Sequence, residues 1–132
     1  MKTNLDDVLI SVSIPDYYIS DHNVGLVIDL ADQLDQEYKF WEVLIVAESS
    51  GNDEYSNILS NVGNVRILQV NQYTDFYLKR SIGAMEAIGD IVVLTSISEM
   101  GSVNIVELIN RVRETDSLVM VEGSKRYIFD LV

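Results

Sequence analysis

The sequence predicts an α/β fold: a three-layer domain in which a mostly parallel sheet carries helices on both faces. Three observations lead there. Five short apolar runs rich in β-branched residues, of which Ile91–Thr95 shows almost no polar alternation, read as strands buried on both faces. The segments between them carry apolar residues at helical spacing. The chain of 132 residues suits one domain, 1–132, with a single core.

Taken in order, Val8–Ile14 is the first strand, and Pro15 stops it because proline has no N–H to donate. Val24, Val27, Leu30, Ala31 and Leu34 then repeat as one face of a helix, with Ser20 or Asp21 placed to accept from its free first-turn N–H groups. Trp41–Ala47 is the second strand, followed by the turn-rich Glu48-Ser49-Ser50-Gly51-Asn52. Residues 53–62 read as a weak helix stopped by Gly63-Asn64, and Val65–Val70 as the third strand. Asp75–Ile88 is helical, with Tyr77, Ala84, Met85 and Ile88 as its expected inner face and Gly89 as its terminator. Ile91–Thr95 is the fourth strand. Ile105, Leu108, Ile109 and Val112 mark another helix, and Leu118–Val121 is the fifth strand, ended by Gly123. Each crossover between parallel strands is expected to be right-handed.

Composition excludes several function classes. The chain has no Cys, which removes disulfides, thiolate metal sites and thiol nucleophiles. It has 21 acidic and 9 basic residues, a net charge of -12, which disfavours non-specific nucleic-acid or anionic-membrane binding. The charge is uneven: residues 1–66 hold 12 acids and 3 bases, residues 67–132 hold 9 acids and 6 bases, so an anion site is expected in the second half. No run reaches the ~20 apolar residues of a membrane span. The first residues, which include Asp6 and Asp7, make a poor signal peptide, so the expected location is cytoplasmic.

In a parallel sheet, ligands bind beyond the carboxyl ends of the strands, where strand order reverses. The residues to inspect are therefore Pro15-Asp16-Tyr17, Ala47-Glu48-Ser49, Asn71-Gln72, Ser96-Ile97-Ser98 and Gly123-Ser124-Lys125. No Gly-x-Gly-x-x-Gly follows the first strand and no Gly-Lys-Ser/Thr loop exists, so neither a dinucleotide fingerprint nor a Walker-type phosphate loop is present. The single His22 reads as a polar helix-start residue rather than a catalytic base.

Five pieces in order carry a resemblance: Ser13-Ile14-Pro15-Asp16-Tyr17; Glu42-Val43-Leu44-Ile45-Val46-Ala47-Glu48-Ser49-Ser50; Arg80-Ser81-Ile82-Gly83; Gly89-Asp90-Ile91-Val92-Val93-Leu94; and Val119-Met120-Val121-Glu122-Gly123-Ser124-Lys125. Together they resemble the nucleotide-binding half of family 2 glycosyltransferases, which have the GT-A fold. The likeness implies a nucleotide or nucleotide-sugar ligand, with Pro15, Tyr17, Glu48 and Arg80 lining its base and phosphate end. It also suggests a setting in polysaccharide or lipopolysaccharide assembly. The family's Asp-x-Asp, which holds a divalent cation against the diphosphate, aligns with Ser96-Ile97-Ser98, followed by Glu99. Two hydroxyls do not replace two carboxylates, so the metal position is vacated and Glu99 leaves room for weak Mn or Mg binding at most. Tyr18 stands where the family has Asn, and Ala47-Glu48 where it has a base-contacting carboxylate pair. The family's acceptor half, with its general base, is expected to be absent.

The expectation is thus a glycosyltransferase-like pseudoenzyme, not catalytic alone. An alternative is a non-catalytic interaction or regulatory subunit with a vestigial pocket; the apolar Tyr127-Ile128-Phe129-Asp130-Leu131-Val132 would then form an exposed surface for a homodimer or partner protein. A receiver-like signalling domain is a third reading. Thr95 or Ser96 and Lys125 suit it, but the third strand ends Gln69-Val70-Asn71 with no phospho-acceptor Asp.

Overall fold

A computed structural model describes residues 8–15, 21–48, 61–71, 74–96, 104–115, 119–122 and 125–129. The strands are β1 (Leu9–Ile14), β2 (Phe40–Glu48), β3 (Val65–Val70), β4 (Ile91–Leu94), β5 (Val119–Glu122) and β6 (Lys125–Phe129). The helices are α1 (Asp21–Glu37), α2 (Phe76–Glu86) and α3 (Ile105–Thr115). The six strands form one sheet in the order β3-β2-β1-β4-β6-β5. β3, β2, β1, β4 and β6 run parallel, and β5 lies antiparallel at the edge.

The strand period of two sorts the side chains. Ile10, Val12, Ile14, Val43, Ile45, Ile91 and Val93 face one side, where they pack with Val24, Val27, Leu30, Ala31 and Leu34 of α1 and Ile105, Val106 and Ile109 of α3. Leu44, Val92 and Leu94 face the other side and meet Ala84 and Ala87 at the end of α2. The sheet is therefore covered on both faces, as expected. The β1→β2 and β3→β4 connections step in opposite directions along the sheet and place their helices on opposite faces, so both crossovers have the same hand.

Local chemistry fixes the ends. Asn64 adopts a left-handed φ of 66°, and its carbonyl accepts from the Val43 N–H at 2.9 Å, aligning β3 with β2. Asp75 caps α2 by accepting from the Leu78 N–H at 2.8 Å. Asn104 does the same for α3, accepting from the Glu107 N–H at 3.0 Å. The two helices on one face are joined where the Tyr38 hydroxyl donates to Asn110 Oδ1 at 2.6 Å.

Three expectations are corrected. The fifth strand is not parallel: Glu122 pairs with Lys125, so β5 and β6 form a tight hairpin, and residues 127–129 belong to β6, between β4 and β5 in the sheet. The expected inner face of α2 is wrong as well. Tyr77, Met85 and Ile88 are exposed, and the helix buries Gly83 instead. Small residues there let α2 lie close on the sheet: a Cβ on Gly83 would collide with Ser13 Oγ and come within 3.4 Å of Val46 Cγ2. Finally, Gly89 does not terminate α2, whose C-cap is Ala87. Its lack of a side chain serves β1, since a Cβ would lie 2.8 Å from the Ser11 nitrogen and 2.9 Å from the Leu9 oxygen. Residues 53–60 of the expected helix over 53–62, the Ser20 cap and Gly123 lie outside the described residues, and residues 61–62 are in a turn.

Candidate functional site

Because β2 and β3 lie on one side of β1 and β4 on the other, the strand order reverses between β1 and β4. The ladder there extends one residue past β4, with the Thr95 N–H donating to the Ser13 oxygen at 3.1 Å. The carboxyl ends of these two strands bring Ser13, Ile14 and Pro15 beside Thr95 and Ser96, all of them buried. Burial of so much hydroxyl at one strand edge is unusual, since an unpaired buried polar group costs about 1–3 kcal/mol. Among the described residues, the buried hydroxyls of Ser13 and Thr95 have no hydrogen-bond partner. They face opposite sides of the sheet: Ser13 lies under Gly83 of α2, and Thr95 continues the alternation that points Val93 toward α1.

Of the residues expected to line a nucleotide, Pro15 and Glu48 both lie at this carboxyl edge, at the ends of β1 and β2. Arg80 lies one helical turn before Gly83, on the same face of α2, and is half-buried. Helix α2 runs from the carboxyl end of β3 toward the start of β4, so Arg80 is on the side of Gly83 nearer the carboxyl edge. Tyr17 lies outside the described residues, as does the Glu48 side chain. Ser96 stands at the end of β4 where the vacated metal position was expected; Ser98 and Glu99 lie outside the described residues. Lys125 does not join this edge: it begins β6 one residue before Arg126, which pairs with Ile91, and so lies at the amino end of the sheet.

The described part of this edge offers no carboxylate set for a divalent cation. Hard cations need several anionic oxygens, and the described edge at Ser96 offers hydroxyls. Among the described residues, no three His, Asp or Glu side chains gather as a metal site.

The sequence reading missed a second polar cluster, at the amino edge of the sheet. Glu42 of β2 is buried, with Oε2 accepting from Ser11 Oγ at 2.6 Å and from the Ile88 N–H at 2.9 Å. Its Oε1 accepts from Arg66 Nε at 3.2 Å and Nη2 at 3.0 Å. Arg66 Nη2 also donates to the Glu86 carbonyl at 3.0 Å, and Ser11 Oγ accepts from the Gly89 N–H at 2.8 Å. These bonds tie β1, β2 and β3 to the end of α2. The signal was present as two polar residues, Ser11 and Glu42, inside otherwise apolar strands. With its carboxylate oxygens engaged, the cluster is a structural clip rather than a ligand site.

A cleft of about 290 Å³ opens between the end of α1 (Gln33, Gln36, Glu37) and the start of α3 (Asn104, Glu107, Asn110). Its lining is amides, carboxylates and Val106, with no cation, which does not suit a phosphate. No helix among the described residues is long and apolar enough to cross a membrane. No family model matches the chain, and no curated protein matches it.

Proposed function

We propose that the chain is a glycosyltransferase-like, nucleotide-binding domain of the GT-A kind that does not carry out sugar transfer by itself. Its ligand is a nucleoside diphosphate or a nucleotide sugar, held at the β1/β4 edge. The observation that carries the reading is the pair of unpartnered buried hydroxyls, Ser13 and Thr95, where the strand order reverses. Buried polar groups are nearly always hydrogen-bonded, so an unsatisfied pair calls for an explanation, and a ligand edge supplies one. Pro15 and Tyr17 line the base. Glu48 accepts from a base N–H, and Arg80 faces the phosphates with the planar, always-charged fork suited to them. Ser96, Ser98 and Glu99 occupy the place of the metal carboxylates. Without that carboxylate pair, the charge on a leaving diphosphate goes without the usual cation, which is why transfer is not assigned to this chain.

Replacing Glu48 by Ala tests the assignment by calorimetric titration with UDP, GDP and CDP. Loss of one hydrogen bond to a charged group, about 1.5–3 kcal/mol, weakens binding roughly ten- to a hundredfold. Unchanged affinity removes Glu48 from the site. A second reading, an interaction subunit whose pocket is vestigial, is favoured by the bare apolar face of α2.

A further inference from the structure

We infer that Gly83 positions the arginine that meets the phosphates, an inference that rests on the nucleotide reading for its ligand. The bare backbone at this position sets how closely the amino half of α2 lies on the sheet, and so where Arg80 stands. Gly83 is buried on the sheet side of α2. A Cβ there would collide with Ser13 Oγ, and it would lie 3.2 Å from Ser13 Cβ and 3.4 Å from Val46 Cγ2. Rotation of the Ser13 hydroxyl relieves the first contact and leaves the other two, both closer than the roughly 3.5–4.0 Å at which carbon atoms rest. The strands have no room to yield. Ser13 is paired with Leu44 on one side of β1 and with Leu94 on the other, and Val46 lies in β2 between β1 and β3. A side chain at residue 83 therefore lifts the helix.

The lift is not shared evenly, because the carboxyl end of α2 is fastened to the sheet. The Glu86 carbonyl accepts from Arg66 Nη2 at 3.0 Å, the Ile88 N–H donates to Glu42 Oε2 at 2.9 Å, and the Gly89 N–H donates to Ser11 Oγ at 2.8 Å. Ala87 is buried with Leu44, Val92 and Leu94. Arg80 lies on the other side of Gly83, toward the amino end of the helix. With a rise of about 1.5 Å per residue, Ala87 is about 6 Å and Arg80 about 4.5 Å from Gly83 along the axis. If the helix turns about Ala87, a lift of about 0.5 Å at Gly83 becomes about 0.9 Å at Arg80. An N–H···O bond is roughly 2.9 Å long and is lost by about 3.6 Å, so such a shift breaks one arm of a bidentate arginine–phosphate contact. Arg80 is half-buried, so its side chain does not re-aim freely.

Titration of the full chain with UDP, GDP and CDP, and with the matching nucleosides, reads the effect. Gly83→Ala is expected to weaken the nucleoside diphosphate that the wild type binds by about three- to tenfold, the loss of one hydrogen bond, and to leave its nucleoside unchanged. In an Arg80→Ala background, Gly83→Ala has no further effect. Hydrogen exchange of the free protein follows the geometry without a ligand. In Gly83→Ala the amides of residues 79–82 exchange about tenfold faster, while those of Ile88 and Gly89 keep their protection. Equal weakening of nucleoside and diphosphate, or a further loss in the Arg80→Ala background, overturns the role of Gly83. Exchange that quickens at Ile88 and Gly89 instead overturns it as well. A wild type that binds none of the three nucleotides overturns the nucleotide reading, and the phosphate role with it. Wild-type binding that Gly83→Ala leaves unchanged overturns the role of Gly83 alone.

Discussion

Glu42 shows how much one side chain organises here. Its carboxylate serves Ser11, the Ile88 N–H and Arg66 at once, while its side chain is only 6% exposed. Replacing it by Ala leaves a buried hydroxyl and a part-buried N–H without their acceptor, so the expected loss is about 2–3 kcal/mol in urea unfolding. Arg66 is half-exposed, and water replaces much of what its removal takes away. Arg66→Ala is therefore expected to cost less than Glu42→Ala; equal or reversed costs would show that the clip is held by the arginine instead. The two orphaned hydroxyls predict the opposite sign. Thr95→Val removes an unpaired buried polar atom at nearly constant shape and is expected to stabilise the protein by about 1 kcal/mol. A destabilised Thr95→Val chain would mean that the hydroxyl has a partner after all. Neither effect is legible in the sequence, where Ser11, Ser13 and Thr95 look alike as small polar residues at strand positions.

At the level of elements, α1 was legible and α2 was not. The apolar repeat of α1 matches its buried face residue by residue, because one stripe of large side chains has one place to go. In α2 the large apolar residues and the small ones lie on different faces, and periodicity alone does not say which faces the sheet. Close approach decides it, since only Gly83, Ala84 and Ala87 fit over Ser13 and Leu44. Gly83→Ala is accordingly expected to destabilise by about 1–3 kcal/mol through overpacking, with part of the loss recovered when Ser13→Ala is added, as read by thermal unfolding. No recovery would place the crowding elsewhere. The cap is a smaller, independent contribution: Asp75→Ala should cost about 1 kcal/mol. The β5–β6 hairpin was also readable in principle. Two residues, Gly-Ser, separate the paired Glu122 and Lys125, a length and composition typical of a tight hairpin. The run of parallel strands before it disguised the change of direction.

For the molecule as a whole, alternating apolar strands and helices were enough to foresee an α/β sheet covered on both faces, and the register bears that out. The strand order, and with it the crossover between β1 and β4, depends on long-range pairing that no local pattern encodes. The central claim is that this crossover edge is a nucleotide site. The most direct test is a titration of ¹⁵N-labelled protein with UDP, GDP and CDP, following backbone amides by NMR. The account predicts saturable shifts centred on Ile14, Glu48, Thr95, Ser96 and Arg80 with at least one of the three. No shifts up to about millimolar ligand, or shifts confined to the α1–α3 cleft around Gln36 and Asn110, would contradict it.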